Sequence, residues 1–256
     1  MSELPFWYFQ TFAFLVGVSV GSFLNVVIYR LPMNQSLAYP PSHCPECGSP
    51  IRAIDNIPIV SWLALMGLCR DCGASISPRY FFVELLTGLL TLAVVNEYGP
   101  GAHALLYCLL VWGLVAVTFI DIDFQIIPDE LSVGGAILGL AVSPFLPIGF
   151  TGALVGALLG SGIFFALAVA YPGGMGGGDI KLMAAIGAFL GWKLALLTIF
   201  SASVVGAVVG VGAMVFHGKG RKSRIPFGPF LATGAVISVV WGDRIMAAYL
   251  SAFAGY

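Results

Sequence analysis

Ile180-Lys-Leu-Met-Ala-Ala-Ile-Gly-Ala-Phe-Leu-Gly191-Trp192-Lys193-Leu-Ala-Leu-Leu-Thr-Ile-Phe-Ser-Ala-Ser-Val-Val-Gly206-Ala-Val-Val-Gly210-Val-Gly-Ala-Met-Val-Phe216 is one long apolar run, and how it divides decides the fold. One bilayer crossing takes about 20 apolar residues, so this run is too long for one. Division at Gly191-Trp192-Lys193 gives helices at 180–192 and 194–216, the first of them short. Further apolar stretches at 6–29, 80–98, 102–121, 131–148, 150–171 and 228–250 raise the expected count to eight. Glycine recurs through the later ones (Gly152, Gly156, Gly160; Gly206, Gly210), as close helix packing in lipid favours. Of the 256 residues 59% are hydrophobic and only 9% charged, with a mean hydropathy of +0.98. A soluble domain carries about 25% charged residues, so this chain lacks the surface of one. The fold class expected is an all-α polytopic membrane protein, with the lipid bilayer as a partner and no nucleic acid among the others. Met1-Ser-Glu-Leu-Pro5 has no basic stretch and no small-residue cleavage site follows, so the first apolar run reads as a retained helix.

Charge supports the division at Gly191. With eight crossings Arg30, Arg52, Arg70, Arg79, Lys181, Lys219, Arg221, Lys222 and Arg224 fall on one side, and only Lys193 and Arg244 on the other. The basic side is the cytoplasm by the positive-inside rule, so both termini are expected outside. Three parts follow: a first transmembrane helix at 1–29, a cytoplasmic loop domain at 30–79, and a transmembrane domain at 80–256. Within the loop, Ile57 to Leu68 is largely apolar but too short to cross. It is expected to pack over the four-cysteine site of the same loop or to lie in the membrane interface.

Two Cys-x-x-Cys-Gly knuckles stand in that loop, Cys44-Pro-Glu-Cys47-Gly48 and Cys69-Arg-Asp-Cys72-Gly73. Two intervening residues let both thiolates of a knuckle face one ion. The glycine supplies a turn that aims backbone amides at sulfur. Four such sulfurs match a closed, tetrahedral, structural Zn2+ site, which has no open position for a reacting water. Disulfides are the alternative, disfavoured by a reducing cytoplasm. His43 reads as a neighbour, and Cys108 as a small core residue.

Only twelve acidic residues exist. An ionised aspartate in the bilayer costs about 3 kcal/mol on insertion scales, so each acid at a membrane boundary calls for an account. Asp121 closes one helix in Phe119-Ile-Asp121-Ile-Asp123-Phe-Gln-Ile-Ile-Pro128-Asp129-Glu130. Asp179 opens another after the glycine run that includes Gly176 and Gly178, which let a second chain approach closely. Two crossings separate the acids, so both emerge on the same side. Two adjacent carboxyl groups that share a proton can activate a water and polarise a carbonyl, the logic of an aspartic protease. Ion coupling and purely structural bonding remain open on the residues alone, as do a transporter and a non-catalytic assembly factor. Asp123 reads as a third carboxylate tuning the pair or as a solvated boundary residue, and Lys181 as a charge offset or an interface anchor. Asp129 after Pro128 suits a helix start, and Glu84 a buried salt-bridge or hydrogen-bond partner. His103 and His217 are expected on opposite sides, leaving no competing nucleophile–base set.

Six blocks in order then carry a resemblance: Gly21-Ser-Phe-Leu-Asn-Val-Val-Ile-Tyr-Arg-Leu-Pro32, the paired knuckles, Asp55 to Trp62, Ile76 to Glu84, Phe119 to Asp129, and Gly176-Gly-Gly-Asp179-Ile-Lys-Leu182. The chain resembles the bacterial type IV prepilin peptidase family, whose members also serve type II secretion. The resemblance implies that Asp121 and Asp179 are the catalytic aspartates. It also implies that prepilin and pseudopilin precursors are cut after a glycine, between a basic leader and an apolar helix, at the cytoplasmic face of the bacterial inner membrane. It implies N-methylation of the new N-terminus with S-adenosylmethionine, for which no glycine-rich cofactor fingerprint is seen here. An attraction of the leader by Asp121, Asp123, Asp129, Glu130 and Asp179 is a further expectation.

Overall fold

The computed structural model describes residues 5–217 and 226–254. Lys219, Arg221, Lys222 and Arg224 of the last basic loop lie outside the described residues, as does the side chain of His217. The helices are α1 (Phe6–Arg30), α2 (Val60–Ala64), α3 (Arg79–Tyr98), α4 (Ala102–Phe124), α5 (Asp129–Val142), α6 (Gly149–Ala170), α7 (Gly177–His217) and α8 (Gly228–Ala254). The chain forms two compact units, Met1–Ala104 and Leu105–Tyr256.

In the first unit α1 and α3 pack antiparallel. Side-chain bonds join Gln10 to Asn96 at one end (2.9 Å) and Asn25 to the Tyr80 carbonyl at the other (3.2 Å). Between them the helices touch through small residues. A Cβ on Gly17 would stand 2.8 Å from Gly88 Cα, and one on Gly21 2.7 Å from Glu84 Cα. In lipid, where apolar burial gives helices no reason to associate, such backbone proximity supplies the dispersion contact that does. Glu84 is buried and accepts a hydrogen bond from the Ile59 amide (2.7 Å), the partner role expected of it. That bond holds Ile59 at φ 64°, a conformation that costs a β-branched residue about 1–3 kcal/mol.

In the second unit α7 is not one rod. Gly191 adopts φ 72° and ψ 175°, outside the helical region, and the chain reverses there. Before the break, Met183, Gly187 and Gly191 lie against Gly160, Gly156 and Gly152 of α6. After it, Leu194, Ala202 and Gly206 lie against Gly242, Gly234 and Phe230 of α8. Phe227, next to α8, reaches both Phe164 of α6 and Gly206, so residues 183 and 206 share one end and the break lies at the other. The expected division at Gly191 is therefore present. Gly156 and Gly187 meet backbone to backbone, and Gly206 receives Phe230, whereas Gly210 faces open space.

Among the described residues six helices are long and apolar enough to cross a membrane, counting α7 once. The two limbs of α7 and the short α5 bring the helix count to the expected eight. The helix expected at 131–148 is a correction: α5 has 14 residues, about 21 Å at 1.5 Å per residue, and ends at Val142. Ser143-Pro144-Phe145 continues as a single 3-10 turn, because proline there removes an amide that the α-helix would use.

Candidate active site and metal centre

Asp121 sits in the last turn of α4, which closes on left-handed Gln125, whose amide bonds the Asp121 carbonyl (3.0 Å). Asp179 is the third residue of α7. Its Oδ2 accepts from the Gly176 amide (3.2 Å) while its own amide donates to the Gly176 carbonyl (3.2 Å). The carboxylate's reach back to the Gly176 amide is one half of a capping box; glycine has no side chain for the other half, and the Gly176 carbonyl takes the Asp179 amide instead. A Cβ on Gly176 would lie 2.9 Å from Asp179 Oδ2, and one on Gly178 2.9 Å from Ile127 Cβ. The two glycines thus have separate work. Gly176 leaves room for the carboxylate, and Gly178 lets the start of α7 lie against the strand of chain that follows Asp121.

Both carboxyl groups are consequently brought to the same end of this unit, 6% and 9% exposed, close enough that the charge of one acts on the other. The Gly228 amide, first in α8, donates to Asp121 Oδ2 (2.9 Å). Each acid is held through Oδ2 by one backbone amide, and Oδ1 of each makes no protein hydrogen bond among the described residues. Such an arrangement orients both groups and leaves each an oxygen for a water or a carbonyl between them.

The neighbouring charges divide. Asp129 opens α5 after Pro128, as expected of it, and pairs with Lys181 (2.7 Å) on an exposed edge. Lys181 is therefore bonded to Asp129, not to either buried acid. Asp123 and Glu130 are exposed. His103 lies at the start of α4, away from the acids at its end. Reading the sequence alone missed Gly228. The donor is a backbone amide, so its only trace is the Pro226-Phe-Gly-Pro229 element before the last apolar stretch.

In the first unit the sulfurs of Cys44, Cys47, Cys69 and Cys72 all lie within 4.8 Å of one another, and none is in a disulfide. Cys44 and Cys72 are 3.9 Å apart. Tetrahedral coordination at a Zn–S length of about 2.3 Å places sulfurs about 3.8 Å apart, whereas a disulfide is about 2.05 Å. The knuckles are near copies. In each, Gly48 or Gly73 at φ 72° returns its amide to the first cysteine's carbonyl (both 2.9 Å). The Ser49 hydroxyl and amide hold Cys47 down to about 6, and the amides of Cys72 and Asp71 hold Cys69 below the ordinary thiol range. The Ala74 amide favours the Cys72 thiolate too, yet desolvation and the other three sulfurs push it up to about 12. Four sulfurs this close could hold a metal ion, and the donor set fits Zn2+. His43 stands outside the cluster, bonded to the Pro41 carbonyl (3.2 Å). Arg70 grips Asp55 through Nε and Nη2 (2.6–3.0 Å), holding its carboxyl below the usual range, and Arg52 meets Asp71 (3.1 Å). These pairs tie the second knuckle to the segment between the two.

Two family models match the chain: the bacterial peptidase A24 N-terminal domain over residues 15–98, and the type IV leader peptidase family over residues 108–211. Among curated relatives, the prepilin leader peptidase/N-methyltransferase of Aeromonas salmonicida (strain A449) is 40% identical, over 97% of this chain and 96% of its own length. The protein of that name from Stutzerimonas stutzeri is 42% identical, over 93% of this chain and 92% of its own length. That from Myxococcus xanthus (strain DK1622) is 42% identical over 85% of this chain and 68% of its own length. No solved structure matches.

Proposed function

The chain belongs to the type IV leader peptidase family, and from that premise we propose that it is an aspartic endopeptidase of the membrane boundary with Asp121 and Asp179 as its catalytic pair. The observation that carries this reading is the pair itself: two buried carboxyl groups from separate helices, each pinned by one amide and each, among the described residues, keeping an oxygen uncommitted. One carboxylate takes a proton from a water lodged between them, and the other hydrogen-bonds or protonates the scissile carbonyl oxygen. The proton then passes to the leaving amine. The two acids titrate as one unit, so base and acid belong to the pair.

The substrates are prepilin and pseudopilin precursors, cut after glycine where a basic leader meets an apolar helix. An enzyme acting at that junction has its acids at the membrane boundary, where α4 ends and α7 begins. The leader lies on the cytoplasmic side of the inner membrane, consistent with Arg52 and Arg70 within the loop between α1 and α3 and Arg30 and Arg79 at its ends. Of the five acids expected to attract it, Asp129 is already paired with Lys181, so the exposed Glu130 is better placed for that work.

Cys44, Cys47, Cys69 and Cys72 would hold a Zn2+ ion in a closed site. When bound, the ion cross-links two knuckles in a segment too small to have a core of its own. The N-methyltransferase part of the relatives' name implies S-adenosylmethionine. Among the described residues no cluster of side chains marks a place for it.

Incubating the purified chain with a prepilin that carries a basic-leader–Gly–Phe junction tests the reading by the product's mass. Cleavage at that bond by the parent, and none by Asp121→Asn or Asp179→Asn at unchanged melting temperature, is the expected result. Cleavage retained in both variants would overturn it. A gain of about 14 Da on adding S-adenosylmethionine, the mass of one methylene, would report the second activity.

A further inference from the structure

The segment Ile57–Leu68 presents its apolar side chains outward. Ile57, Val60, Leu63 and Met66 are 47%, 58%, 54% and 80% exposed, although Trp62 between them is turned inward onto Phe81, with ring centroids 5.4 Å apart. The Trp62 ring also lies against Gly67, and its Nε1 donates to the Ile76 carbonyl (3.2 Å). The segment is therefore folded and fixed, and its outward apolar face is a built surface.

Its height relative to the bilayer follows from α1 and α3. With 25 residues α1 is about 37 Å long at 1.5 Å per residue. The hydrocarbon core is about 30 Å thick, so several residues of α1 stand outside it. Tyr29 in the last turn of α1 and Tyr80 in the first turn of α3 are both exposed, as interfacial aromatics are, and the Asn25–Tyr80 bond sets these two turns side by side. The amide of Ile59, immediately before α2, is bonded to Glu84. A helical side chain leans toward its helix's N-terminus, so the Glu84 carboxyl lies near the first turn of α3, at the height of Tyr80. Both ends of the cysteine-bearing loop run directly into these two membrane helices.

We infer that α2 and its flanking turns lie in the headgroup layer, with Ile57, Val60, Leu63 and Met66 in contact with lipid and the zinc knuckles held above them at the membrane surface. Charge suits this placement. The segment from Ile57 to Leu68 carries no ionisable side chain, the charged residues that flank it in sequence, Asp55 and Arg70, are paired with one another, and the Glu84 carboxyl that bonds Ile59 is buried. A face buried a few ångströms into the headgroup boundary needs no long helix, only apolar side chains at that depth.

The test places the photoreactive residue p-benzoylphenylalanine at Val60, Leu63 or Met66 of the full chain. The protein is then embedded in nanodiscs of palmitoyl-oleoyl phosphatidylcholine and phosphatidylglycerol. Arg52 serves as a solvent-side control, and the outward-facing Phe165 of α6, 61% exposed, as a lipid-side control. After irradiation, the expected result is the mass of one phospholipid added at Val60, Leu63 and Met66, as at Phe165, and none at Arg52. Cross-links from these positions to peptides of the same chain or of a second copy would overturn the inference. So would their silence while Phe165 labels.

Discussion

Replacing Gly228 by alanine would put a methyl carbon 2.6 Å from Oδ2 of Asp121, 3.1 Å from its Cγ and 3.3 Å from its Cβ. Contacts that close cannot be kept. The carboxyl group has to rotate away, and in doing so it gives up the 2.9 Å bond from the Gly228 amide. A hydrogen bond to a charged group is worth about 1.5–3 kcal/mol. Displacing a reacting group by about 1 Å costs on the order of 100-fold in rate. The helix itself should not suffer, since Gly228 is its first residue and its φ is not left-handed, so the backbone there accepts alanine. Gly228→Ala is therefore expected to lower kcat about 100-fold, or about 2.7 kcal/mol of barrier, with KM and melting temperature little changed. Steady-state cleavage of a prepilin in detergent, with a thermal melt of the same sample, measures all three. Turnover comparable to the parent, at an unchanged melting temperature, would refute the claim that this amide positions Asp121.

The remaining predictions bear on neighbouring contacts. Gly178→Ala should push the start of α7 off Ile127, where overpacking costs about 1–3 kcal/mol, and Ile127→Ala in the same chain should restore part of the lost cleavage; no restoration would mean that Gly178 does something else. The Asp129–Lys181 pair is exposed, and such pairs contribute about 0–1 kcal/mol, so Lys181→Met should leave melting and cleavage near the parent's values. A large loss of cleavage there would instead tie Lys181 to the buried acids. Elemental analysis of the intact chain should find one zinc per molecule, and Cys44→Ala should lose it and expose residues 41–76 to limited proteolysis; full metal content in that variant would rule out the four-sulfur site.

Much of this arrangement can be read before any coordinates, because the chemistry at issue resides in side chains. The knuckles announce themselves by spacing, and membrane helices by apolar length. Gly191-Trp192-Lys193 marks a reversal because a charge and a flexible residue interrupt lipid-facing sequence. What escapes is of two kinds. The end of α5 is hidden because Pro144 and Pro147 sit in apolar surroundings, so hydropathy continues where the helix stops. The Gly228 donor and the Lys181–Asp129 pair are hidden because contact between distant segments is a property of packing. A backbone amide aimed at a carboxylate leaves only a glycine in the sequence, and a lysine shows its charge but not its partner. The separate tasks of Gly176 and Gly178 emerge only when each missing Cβ is placed and its neighbour found.

A double variant asks most directly whether Asp121 and Asp179 work as one unit. Prepilin turnover should be measured for the parent, for each single asparagine variant, and for Asp121→Asn/Asp179→Asn together. Groups that share one proton and one water are strongly non-additive, so each single change should cost about as much as both together. If either single variant kept the parent's turnover, or if the two losses multiplied in the double variant, the carboxyl groups would be acting apart and the dyad would not be the catalyst.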